Sequence, residues 1–63
     1  MNDEPIIRFF AYDHLPEGDL REMSRHFCEL ADHVVFTAPA SEERTAALRK
    51  LLEGKDAAVR AML

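Results

Sequence analysis

Leu20-Arg21-Glu22-Met23-Ser24-Arg25-His26-Phe27-Cys28-Glu29-Leu30-Ala31-Asp32-His33-Val34 decides the fold. Leu20, Met23, Phe27, Leu30 and Val34 recur at alternating spacings of three and four, the seam of a helix packed along one face. Asp19 falls in the first turn, where a negative charge complements the helix dipole. Thr37-Ala38-Pro39 closes the run, because proline restricts the residue before it. A helix over 17–36 follows.

Beyond the Ala38-Pro39-Ala40-Ser41 break a second helix is predicted over 41–62. Ser41 is its N-cap, Glu42 and Glu43 lie in the first turn, and no proline follows before Leu63. Its apolar stripe is Leu48, Leu51, Leu52, Ala58, Val59 and Met62, with Gly54 as a weak point costing about 1 kcal/mol relative to alanine. A loop of about four residues forces the two helices antiparallel. Ahead of them, Ile6, Ile7, Phe9, Phe10 and Tyr12 form a β-branched and aromatic run with no second strand to pair with. It reads as an extended N-terminal arm, residues 5–16, lying across helices, either its own or those of a neighbouring subunit. The fold class is therefore all-α: one domain, an antiparallel two-helix hairpin with an arm.

The whole chain has 63 residues, one cysteine and a formal charge of −4. A core this small rarely stabilises a fold alone, and Cys28 has no partner for an intrachain disulfide, so self-association is the expected support. Two helices leave Val35, Leu52, Val59 and the Phe-rich arm wet in a monomer, which points the same way to a compact homo-oligomer. The apolar runs are too short to span a bilayer, and the acidic start Met1-Asn2-Asp3-Glu4 is unlike a secretory signal; cytoplasmic residence is expected. Net acidity disfavours non-specific binding to DNA. Residues 1–40 carry 8 acids and 3 bases, whereas residues 41–63 carry 4 acids and 5 bases. An anion site should draw on the second half.

His14, His26 and His33, with Asp13, Asp32 and Cys28 nearby, raise the question of a metal. The seven-residue spacing of His26 and His33 separates them by two turns, and neither Cys-x-x-Cys nor His-Glu-x-x-His occurs, so no metal and no cofactor are expected. Cys28 in mid-helix is more simply a small apolar side chain than a nucleophile, and an enzyme is not expected. Ser41-Glu42-Glu43-Arg44-Thr45-Ala46-Ala47-Leu48-Arg49-Lys50 gathers hydroxyls, first-turn amides and three cations at a helix N-terminus, an arrangement that phosphate favours. Thr45 and Arg49 share a face one turn apart. The plainer alternative is that these cations pair with Glu43 and Glu53 on a solvated surface. Tyr12, an aromatic with a polar tip on an arm, suits stacking on a nucleobase, or latching the arm down. Arg21 and Arg25, spaced i, i+4, offer a guanidinium plane or pair with Glu17, Glu22 and Glu29.

Phe10-Ala11-Tyr12-Asp13-His14-Leu15-Pro16, a helix ending in a short Pro loop, and the run from Ser41 to Ala61 together resemble the small phage anti-CBASS proteins with a hairpin domain. These are the second-described class of cyclic-oligonucleotide sponges, and the likeness spans residues 8–61. The resemblance implies a helical homohexamer that sequesters, without cleaving, the cyclic di- and trinucleotides of bacterial immune signalling. The setting would be the host cytoplasm and the role phage immune evasion. It implies that Tyr12 stacks on a base, that a cation from a neighbouring first helix completes that pocket, and that Arg44, Thr45 and Arg49 lie near phosphates. Where the family carries a lysine near position 26 or 27 this chain has His26 and Phe27, leaving Arg25 and His26 as the candidates there; Arg49 stands where the family often has threonine. The alternative is a helical-hairpin module for oligomerisation or protein interaction, with no nucleotide ligand.

Overall fold

Two helices carry the chain: α1 from Asp19 to Thr37 and α2 from Glu42 to Ala61, within a computed structural model that describes residues 5–63. Their ends shift by one or two residues from the expected 17–36 and 41–62, and the reason lies in the caps. Gly18 precedes α1 with φ 142° and ψ −174°, a backbone region open essentially to glycine, and its carbonyl accepts from Glu22 N at 3.0 Å. Glu17 thus lies outside the helix. At the other end Ala38 N donates to Val34 O at 2.9 Å and the Thr37 hydroxyl donates to His33 O at 2.6 Å, adding one residue before Pro39. Ser41 caps α2 as expected, its hydroxyl accepting from Arg44 N at 3.1 Å.

The two helices run antiparallel, as the four-residue connection requires: Arg44 meets Val35 and Ala38, and a Cβ at Gly54 would lie 3.6 Å from Phe27. Their contact departs from the seam expected for α1. Ser24 and Ala31 are its two buried residues, Leu20, Phe27 and Val34 are half-buried, and Leu30 is 47% exposed. Ser24 and Ala31 each follow Met23 and Leu30 by one residue, so at 100° per residue the buried line is rotated by about 100° from the line through Met23 and Leu30. Small side chains at Ser24 and Ala31 let the helix axes approach, and the bulkier Met23 and Leu30 are left on the flank. In α2 the expected stripe holds at Leu48, which is fully buried, and at half-buried Leu51, Leu52, Ala58 and Val59; Met62 is exposed.

The arm is not extended. Pro5–Phe10 forms a 3-10 helix and Leu15 N donates to Tyr12 O at 3.0 Å in the turn that follows. Without a strand to pair with, the backbone of this run satisfies its polar groups through i→i+3 bonds instead. It packs on the helices of its own chain, where Phe10, 0% exposed, completes a core with Ala31 and Leu48. Ile6, Ile7, Val35 and Leu52 pack against that core. Phe10, Val35 and Leu52 are therefore not left wet in the single chain, as the sequence had suggested. Phe9, Leu30, Phe36, Met62 and Leu63 are the large apolar side chains that stay exposed among the described residues, Phe36 at 84%. No helix of the described residues is long and apolar enough to cross a membrane.

Candidate functional site

The six candidate residues fall into two open grooves at opposite ends of the hairpin, with one residue in neither. The first groove, about 550 Å³, lies at the hairpin turn and is lined by Ser41, Glu42, Arg44, Thr45 and Arg49 among others. It opens at the N-terminus of α2, where backbone amides of the first turn favour negative charge. Thr45 is half-buried and Arg49 is exposed one turn further along, as their spacing predicts.

Arg44 is turned the other way. Only 8% exposed, its guanidinium donates through Nη1 to Val35 O at 3.2 Å and to Ala38 O at 3.1 Å. Those carbonyls belong to the last turn of α1 and the residue capping it, which have no partner within the helix. A buried cation at a helix C-terminus also meets the negative end of the helix dipole. Arg44 therefore ties the start of α2 to the end of α1, and its charge still contributes to the potential of the groove it lines.

The second groove, about 460 Å³, lies beside the start of α1 and is lined by Tyr12, Glu17, Gly18, Arg21, Glu22 and Arg25. From Arg25 to Ala38 is thirteen residues, or about 20 Å along α1 at 1.5 Å each, so one chain cannot close both grooves around a single small ligand. The Arg21 guanidinium sits over the Tyr12 ring, 5.8 Å from its centroid. Arg25 is engaged by acids: Nη1 donates to Glu29 at 2.8 Å, and Nε donates to Glu22 at 3.1 Å alongside a second bond from Nη2. These bonds hold the Glu22 carboxyl below its ordinary value of 4.5 and push the Arg25 guanidinium further up. The i, i+4 spacing treated Arg21 and Arg25 alike, and the resemblance singled out Arg25 as the candidate. The structure separates them, because Arg21 has no ion-pair partner among the described residues and faces the aromatic ring. The i, i+4 spacing was the available signal for Arg21; which arginine the acids would take was not encoded in it.

His26 is exposed on α1 and lines neither groove. Burial first, then the neighbouring Asp32 carboxylate, raises the Cys28 thiol, which contacts Asp32 Oδ2 at 3.9 Å and stays protonated. Among the described residues no group of three or more His, Cys, Asp or Glu side chains is placed to hold a metal ion.

The chain matches no protein-family model, no curated protein and no solved structure. Its likeness to the hairpin-domain sponges rests on the residues quoted above.

Proposed function

We propose that this chain is a phage sponge that sequesters cyclic di- and trinucleotides in the host cytoplasm, holding them in clefts between copies of itself without cleaving them. The supporting observation is the pairing of Tyr12 with the Arg21 guanidinium in an open groove that also contains Arg25. A base stacked on a single aromatic ring gains about 1–3 kcal/mol, and a guanidinium over the same slot adds charge for a phosphate. At the far end Thr45 and Arg49 offer a hydroxyl, a guanidinium and helix amides to a second phosphate.

Each groove is open in the single chain. A neighbouring copy closes it, and the exposed Phe36, Leu30 and Phe9 supply apolar surface for that contact. A homohexamer, as in the family this chain resembles, places several such seams in one particle. Neither groove needs a reactive group for tight binding, since preorganised interfaces sequester a ligand by enclosure alone.

Tyr12 is the only tyrosine of a chain without tryptophan, so its fluorescence reports on this groove directly. Titration with a panel of cyclic di- and trinucleotides, corrected for nucleotide absorbance, should quench it saturably for at least one ligand. Micromolar protein that responds to no member of the panel, yet assembles through its apolar surface, would instead identify a hairpin module for oligomerisation or protein interaction.

A further inference from the structure

A third groove, about 260 Å³, lies where the arm, α1 and α2 converge, and it shares no residue with the two described above. Ser24 lines it. That side chain is 1% exposed and its hydroxyl is the one buried side-chain polar atom without a hydrogen-bond partner among the described residues. A buried hydroxyl left unpaired is costly, and native proteins rarely keep one without a water, an ion or a ligand to answer it.

The surroundings define what would answer it. Leu15, Leu20 and Val59 make an apolar wall, while Lys55, Arg60 and His14 bring donors and Asp56 is the single acid lining the groove. Two fixed cations against one carboxylate leave a local excess of one positive charge in a chain whose formal net charge is −4. Lys55 Nζ donates to Phe9 O at 2.6 Å, which holds it at the groove and leaves further protons on the ammonium for an acceptor.

We infer that this groove is a binding site for a small organic monoanion, an aliphatic carboxylate whose chain lies on Leu15, Leu20 and Val59 and whose oxygens meet Ser24, Lys55 and Arg60. One negative charge balances the local excess, and a short apolar chain suits the wall better than a bare inorganic ion does. The volume is just under the usual range for small-molecule pockets, which limits the chain to a few carbons. The site is independent of the nucleotide grooves, so a nucleotide titration neither supports nor removes it.

Hexanoate and its uncharged counterpart hexanol are the probes, followed by amide chemical shifts of the full chain. Hexanoate should produce saturable shifts centred on Leu20, Ser24 and Val59, with hexanol at least about tenfold weaker, the loss expected for one charge-assisted contact. Arg60 is exposed, so Arg60→Gln leaves the fold intact and should weaken hexanoate by a similar factor. Ser24→Ala should weaken hexanoate while raising the melting temperature of the free protein, a combination that a purely structural serine would not give. The inference is overturned if hexanoate shifts do not saturate, if hexanol binds equally well, or if Arg60→Gln and Ser24→Ala leave the affinity unchanged.

Discussion

Removing Arg44 should take away a large share of the stability of the fold even where no ligand is present. Its guanidinium holds Val35 O and Ala38 O at 3.2 and 3.1 Å in a position only 8% exposed, and among the described residues no other side chain donates to those two carbonyls. Hydrogen bonds from a charged donor contribute roughly 1.5–3 kcal/mol each, but in Arg44→Ala water reaches the freed carbonyls at the end of α1 and returns part of that. A net loss of about 2–3 kcal/mol remains. For 63 residues the whole stability is on the order of 3–9 kcal/mol, so this one side chain carries a large share. Urea unfolding followed by far-ultraviolet circular dichroism measures it, with Arg49→Ala, exposed in the same groove, as the companion variant staying within about 0.5 kcal/mol of the parent. Equal stability of Arg44→Ala and the parent would refute the capping role and return Arg44 to the set of residues held available for a ligand.

Three further outcomes follow from the local geometry. Gly54→Ala should stabilise the protein by up to about 1 kcal/mol in thermal or urea unfolding, since the added Cβ meets Phe27 at an ordinary 3.6 Å and α2 gains helix propensity. Gly18→Ala should cost about 1–3 kcal/mol by the same measurement although nothing lies within 4 Å of the new methyl, because the cost is in the backbone at φ 142°. The Glu22 carboxyl, lowered by its bonds to Arg25, should titrate below 4.5 by NMR and move back toward that value in Arg25→Gln. A lowered carboxylate stabilises the fold above its unfolded value and loses that contribution as pH falls through the folded one; the Glu22–Arg25 contribution should therefore fade only in acid.

The helices were legible because their signals are local. Ser41 caps α2, Pro39 stops α1, and Phe27 and Val34, two members of the three-and-four pattern, pack against the core as read. The exact inward face was not, since hydropathy weighs Met23 and Leu30 above Ser24 and Ala31, whereas close approach of two helices favours the smaller pair. The arm misled for a related reason. Its β-branched and aromatic residues favour extended backbone only where a partner strand exists, and here local 3-10 bonds satisfy the backbone while Phe10 enters the core.

At the candidate site the sequence placed Thr45 and Arg49 correctly on one face, and Tyr12 and Arg25 line a common groove. It could not divide the work among the arginines. Arg44 turns to the carbonyls of α1, Arg25 is taken by Glu22 and Glu29, and Arg21 is left above Tyr12. Those allocations depend on which acceptors the fold brings near, and spacing alone does not specify them.

Native mass spectrometry of the intact chain, incubated with cyclic di- and trinucleotides, weighs copies and ligands in the same particle. The expected spectrum is a multimer, six copies in the form favoured here, carrying intact cyclic nucleotide that Tyr12→Ala releases without breaking the multimer apart. A monomer at every concentration, or a multimer that retains no nucleotide from the panel, would contradict the proposal that copies of this hairpin enclose a cyclic phosphodiester.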